Sequence, residues 1–171
     1  VARVCLAIRD DPSKAALYTN RPNTVAVVTN GTAILGLGDI GPVAGLPVME
    51  GKAALFAALV GITAVPILID SRDPARVIDT VEAIAPSFGA IQLEDIAAPE
   101  CFEIEAELVR RLDIPVLHDD QHGTAVVALA ALLNALRRVE RTLASSTVGQ
   151  VGLGAAGLGI ARLLKAQGVR R

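Results

Sequence analysis

The sequence predicts an α/β fold built on a parallel sheet, and three observations predict it. From about residue 64 onward, short apolar runs alternate with stretches of helical spacing. Two acidic pairs, Glu94-Asp95 and Asp119-Asp120, each close one of those runs and precede a helical pattern. The composition is 52% hydrophobic but only 2% aromatic, so a core of Ala, Val, Leu and Ile is required. Alternating runs of this kind form parallel sheets covered by helices on both faces.

The elements follow in order. Gly and Pro density over residues 31–47 marks a long structured loop, with Pro42, Gly45 and Pro47 delaying any helix, and residues 48–60 then read as a helix. Residues 64–69 read as a strand ending at Asp70, which is expected to cap the following helix. That helix covers residues 74–85, with proline in its first turn. Residues 89–93 form the next strand, and residues 99–112 carry the charge density of an exposed amphipathic helix. A strand over 114–117 leads to an Ala-, Leu- and Val-rich helix from about 123 to 139. Residues 140–146 lose the apolar period, and a domain boundary is expected there. Residues 147–151 then read as a short strand and 158–167 as a helix, the first β-α unit of a second domain.

Composition excludes several classes. A net charge of −2 without a basic block leaves no electrostatic footprint for nucleic acid. Cys5 and Cys101 lie far apart and outside C-x-x-C spacing, so reduced thiols are expected, as in a cytoplasmic protein. The uncharged apolar stretch 53–69 falls short of the roughly 20 residues a membrane span needs and is broken by Gly61, Thr63 and Pro66. The chain begins with Val1 and shows no charged-then-apolar leader, so no secretory signal is expected, and a native start is read as lost or removed.

The acidic pairs carry the first chemical reading. Open parallel sheets bind ligands at the carboxyl ends of their strands. Four carboxylates gathered there repel unless a cation holds them, and an all-oxygen cluster suits Mg²⁺ or Mn²⁺. Helix capping explains one side chain, as at Asp70, but not a doubled pair occurring twice. Two stretches match G-x-G-x-x-G. The first, Gly36 to Gly41, holds Asp39 where a pyrophosphate would be repelled, and reads as a structural turn. The second, with Gly152, Gly154 and Gly157, follows a predicted strand and opens a helix at once, which favours dinucleotide binding.

Lys52 stands alone among apolar neighbours. A desolvated lysine there has a lowered pKa and can act as a base, although the residues alone favour a stem packed along the helix with its ammonium in water. His118 and His122 share i, i+4 spacing, but His118 sits at a strand end, so hydrogen bonding or capping explains them better than a zinc pair.

Taken together, the blocks Ile34-Leu35-Gly36-Leu37-Gly38-Asp39, Pro47-Val48-Met49-Glu50-Gly51-Lys52, Gln92-Leu93-Glu94-Asp95-Ile96 and His118-Asp119-Asp120-Gln121-His122-Gly123-Thr124-Ala125 closely resemble malic enzyme of the small bacterial type. The resemblance reverses the structural reading of Lys52. It implies a three-layer malic domain over residues 1–140, followed by the truncated start of a Rossmann-like dinucleotide-binding domain over 147–171. It implies Glu94, Asp95 and Asp120 as ligands of Mg²⁺ or Mn²⁺, Lys52 as the catalytic lysine, and Asp119 as its orienting or proton-relaying neighbour. Gly152, Gly154 and Gly157 are implied to hold NAD or NADP. The implied activity is oxidative decarboxylation of malate to pyruvate and CO₂ in a cytoplasmic homo-oligomer, with no membrane or nucleic-acid partner. The family's catalytic tyrosine belongs to a Tyr-Ser/Thr-Pro-Gly-Val-Ala stretch that would end at Val1-Ala2, and Tyr18 lies in a different block. A fragment inactive by itself is therefore expected; the alternative is a non-catalytic interface or regulatory remnant of such an enzyme.

Overall fold

The structure, a computed structural model, describes residues 1–169. Four strands form one parallel sheet: β1 (Thr24–Thr29), β2 (Thr63–Leu68), β3 (Ala90–Leu93) and β4 (Val116–His118), in the order β2-β1-β3-β4. Seven α-helices surround it among the described residues: α1 (Ala2–Asp10), α2 (Ala15–Tyr18), α3 (Pro42–Val60), α4 (Pro74–Ile84), α5 (Glu100–Arg111), α6 (Asp119–Arg138) and α7 (Ala155–Ala166).

The strand order explains the layers. From β1 the chain steps one way to β2, then crosses back over β1 to β3 and continues to β4. Right-handed crossovers put helices on opposite faces when the direction of travel reverses. Accordingly α3 lies against β1 and β2 on one face. On the other face, Val77, Ile78 and Val81 of α4 and Cys101, Ile104 and Leu108 of α5 pack onto Ala26, Val28, Ile91 and Leu93. Each large side chain fully buried there contributes about 2 kcal/mol. The direction reverses between β1 and β3, so the crevice at the carboxyl end of the sheet opens beside those strands.

Several elements differ from the sequence reading. Strand β1 is absent from that reading, yet it is central, with Ala26, Val27 and Val28 fully buried. Helix α3 starts at Pro42 rather than near residue 48. Gly41 is its N-cap, Pro42 occupies the first turn where no N–H is needed, and Pro47 is accommodated inside the helix. The cap of α4 is Asp73, whose carboxylate accepts from the Ala75 N–H at 3.1 Å, while Asp70 is exposed and caps nothing among the described residues. Helix α6 begins at Asp119, so the second acidic pair is its first turn. Residues 147–151 form no strand, because no other strand among the described residues lies alongside to share hydrogen bonds.

One helix among the described residues, α3, is long and apolar enough to cross a membrane by length and composition. It lies instead across β1 and β2, with Met49 buried and Lys52 tied to two carboxylates.

Candidate metal and substrate site

Register brings the acidic pairs together. Leu93 of β3 is the partner of His118 of β4, so the next residues of each strand leave the sheet side by side: Glu94 with Asp119, and Asp95 with Asp120. Asp95 adopts the left-handed region (φ 53°), which an aspartate tolerates better than most residues. That turn lets the Asp95 N–H donate to Asp120 Oδ2 at 2.9 Å. One oxygen each from Glu94, Asp95 and Asp120 then lies within 4.8 Å of the others.

One oxygen of the cluster is left without a protein donor. Glu94 and Asp95 are buried, and Asp95 Oδ2 has no hydrogen-bond partner among the described residues. Burial pushes the Glu94 carboxyl up to about 7. Burial, reinforced by the charge of Asp120, pushes Asp95 up to about 6. Burial also works against the charge of Asp120, but contact with His118 outweighs it and holds that carboxyl below its ordinary value. A buried ring, His118 has Nε2 3.0 Å from Asp120 Oδ2; burial opposes its charge, yet Asp120 and Cys101 raise its pKa to about 9. An orphaned carboxylate oxygen within an all-oxygen donor set fits a hard divalent cation such as Mg²⁺ or Mn²⁺.

Lys52 reaches this edge from α3. It falls three residues after the buried Met49, on the stripe turned toward the sheet. Its Nζ lies 2.7 Å from Asp119 Oδ2 and 3.2 Å from Glu94 Oε1. Gln92 Nε2 donates to the other Glu94 oxygen at 2.5 Å. The sequence reading of a lowered lysine pKa is overturned. Burial does act to lower it, but Asp119 and Glu94 together outweigh burial and raise it. Beside Asp119 a groove of about 450 Å³ is lined by Gly123, Thr124, Val127 and Ala128, giving open space next to the lysine–aspartate pair.

The two histidines diverge: His118 turns to Asp120, and His122 Nε2 lies 2.8 Å from Glu105 Oε1. They share no metal position. The glycine run Gly36 to Gly41 is a turn closed on itself, with Ile34 and Gly38 bonded backbone to backbone, and Asp39 is paired with Arg72 at 2.7 Å. The second run behaves differently. Gly154 is the N-cap of α7, which has no side-chain cap hydrogen bond and no acidic residue in its first turn, and Gly157 sits so close to Gly152 O that no Cβ fits. Gly152, Gly154 and Gly157 thus stand at the opening of a helix, a position whose N–H groups suit an anion. A groove of about 710 Å³ lies along Val148, Leu153 and Leu164, away from the carboxylates.

Two residues of this edge escape the sequence reading. Glu105 lies in a helix that reads as exposed, yet it falls on the buried stripe of α5 with Cys101, Ile104 and Leu108, at i, i+3, i+4 and i+7 spacing. Gly123 sits directly beside Asp119.

An α/β sheet with an acid-lined carboxyl edge, a lysine set against it and a glycine turn opening a further helix makes this an α/β protein whose last described helix begins a dinucleotide-binding domain. The chain belongs to the malic enzyme family: residues 1–109 match the model "Malic enzyme, N-terminal domain" and residues 121–171 match "Malic enzyme, NAD binding domain". It is 59% identical over 170 residues to the NAD-dependent malic enzyme of Geobacillus stearothermophilus, covering 99% of this chain and 36% of that one. It is 52% identical over 171 residues to the NADP-dependent malic enzyme of Escherichia coli, covering 100% of this chain and 22% of that protein. The crystal structure of malic enzyme from Pyrococcus horikoshii superimposes with a TM-score of 0.96 at 54% identity, over 99% of this chain and 39% of that one. The chain thus spans about two-fifths or less of these relatives' length.

Proposed function

We propose that this chain supplies the malate- and metal-binding part of an enzyme that oxidatively decarboxylates malate to pyruvate and CO₂ while reducing NAD or NADP. One observation carries the reading: Glu94, Asp95 and Asp120 converge within 4.8 Å beside the Lys52–Asp119 pair. We read residues 1–140 as the malic domain and 147–171 as the start of the dinucleotide-binding domain, with Gly152, Gly154 and Gly157 toward the cofactor phosphates.

Glu94, Asp95 and Asp120 would hold Mg²⁺ or Mn²⁺, which when bound acts as a Lewis acid that draws electrons from the departing CO₂. Lys52 Nζ is the group placed to take the substrate hydroxyl proton as hydride leaves. It is charged as it stands, so it must first give up a proton, and Asp119 Oδ2 at 2.7 Å is the nearest acceptor. Asp119 also fixes the direction of the amine. Gln92 steadies Glu94 from behind.

Free Cys5 and Cys101 support a cytoplasmic location. Exposed Val43, Leu55, Leu59 and Val60 along α3 support homo-oligomerisation. The non-catalytic alternative gives no reason for Lys52 to face both Asp119 and Glu94.

The test is malate-dependent reduction of NAD and NADP by the full-length protein with Mn²⁺, compared with its Asp120→Ala variant. Metal-dependent turnover that Asp120→Ala abolishes supports the reading, and unchanged metal dependence in the variant rejects it.

A further inference from the structure

Helix α6 carries Asp119 and Asp120 as its first two residues, and its cap position, His118, makes no side-chain capping bond of its own. A different helix does that work. Glu105 Oε1 accepts the His118 backbone N–H at 2.8 Å, Oε2 accepts Gln121 Nε2 at 3.0 Å, and His122 Nε2 approaches the same carboxylate at 2.8 Å. Three groups from five consecutive residues therefore converge on one side chain that is only 12% exposed. A carboxylate at a helix N-terminus is favourable for the helix dipole. Here it is borne by α5, whose Cys101, Ile104 and Leu108 are fixed in the core. The first turn of α6 is thus anchored to the rigid side of the sheet.

We propose that Glu105 is a positioning residue for the reaction: it locks the first turn of α6 so that Asp120 meets Glu94 and Asp95 while Asp119 meets Lys52. The proposal rests on the metal-site reading given above. Among the described residues Glu105 makes no hydrogen bond or ion pair to Lys52 or the cluster, and acts through backbone and side-chain atoms on either side of Asp119 and Asp120. Replacing it with glutamine removes the charge and turns an amide N–H₂ toward donors that need an acceptor. Replacement with aspartate keeps the charge but falls one methylene short of its partners.

The experiment titrates Mn²⁺ into the full-length protein, followed by electron paramagnetic resonance, with thermal unfolding in parallel. The samples are wild type, Glu105→Gln, Glu105→Asp and Glu103→Gln, the last removing an exposed charge from the same helix. We expect tenfold or weaker Mn²⁺ binding in both Glu105 variants, with folded protein retained and Glu103→Gln like wild type. Turnover should fall mainly in kcat when Mn²⁺ is saturating. Should Glu105→Gln fail to fold, Glu105→Asp carries the same expectation. A Glu105 variant with a lowered melting temperature but wild-type Mn²⁺ affinity in its folded fraction overturns the proposal and leaves the metal site intact. Wild type that binds no Mn²⁺ overturns the metal-site reading and this proposal with it.

Discussion

Gly159 of α7 lies against the backbone of Gln121 in the first turn of α6. A Cβ at residue 159 would stand 2.3 Å from Gln121 O and 2.8 Å from its carbonyl carbon, distances that backbone atoms cannot relieve by a rotamer change. The opening helix of the glycine-loop unit is thereby docked on the same turn that presents Asp119 and Asp120. Gly159→Ala is expected to push the two helices apart and destabilise the protein by about 1–3 kcal/mol, the usual range for overpacking. Thermal unfolding measures it, with Gly149→Ala as control because nothing lies within 4 Å of the added methyl there. Equal melting temperatures for the two variants would dismiss the docking contact.

Gly123 constrains Asp119 in a similar way from one helical turn further along α6. An added Cβ would meet Asp119 Oδ1 at 2.1 Å and Cγ at 2.9 Å, so the aspartate must swing away. Swinging away breaks its 2.7 Å bond to Lys52. Gly123→Ala is therefore expected to lower kcat by tenfold or more while raising intrinsic helix propensity. The combination of a retained or raised melting temperature with lost turnover separates this from ordinary misfolding. Wild-type kcat would show that Asp119 does not orient the lysine.

The regular region of the fold was legible because each strand from residue 64 onward is a short apolar run between helices of clear period. The acidic pairs were legible because they follow strands, and the Leu93–His118 register does bring them together. Strand β1 lacked the signal of alternation because both its faces are buried; its mark was the unbroken Val25-Ala26-Val27-Val28 before Asn30-Gly31. Glu105 was hidden for the opposite reason: a charged residue on an apolar stripe reads as noise until its partners, 13 to 17 residues away, are placed. The charge state of Lys52 could not be read from neighbours in sequence, since both carboxylates that raise it arrive from other elements.

Capping at α4 separates two aspartates that a sequence treats alike. Asp73 accepts from the Ala75 N–H, whereas Asp70 accepts nothing among the described residues. Asp73→Ala is expected to cost about 1 kcal/mol, typical for loss of an N-cap, and Asp70→Ala to cost nothing measurable. Chemical denaturation of the two variants decides; a larger loss at Asp70 would return the cap to that residue.

The acidic cluster makes stability depend on pH with a sign opposite to that of ordinary salt-bridged carboxylates. Burial raises Glu94 from an ordinary 4.5 to about 7 and Asp95 from 3.8 to about 6. Between the ordinary and raised values the folded protein binds more protons than the unfolded chain, so stability falls as pH rises through that interval. His118, raised to about 9 because Asp120 and Cys101 outweigh burial, acts in the same direction. Asp120, held below its ordinary 3.8, changes only at more acid pH. Metal-free protein should therefore melt at a higher temperature at pH 5.5 than at pH 8. Mn²⁺ takes the place of those protons, so it should bind more tightly at pH 8, where a concentration one hundredfold above Kd adds about 2.7 kcal/mol. Differential scanning calorimetry at both pH values, with and without Mn²⁺, tests the pair of signs. A metal-induced shift of equal size at pH 5.5 and pH 8 would mean that protons and cation do not compete for Glu94 and Asp95, and the cluster would lose its claim to the ion.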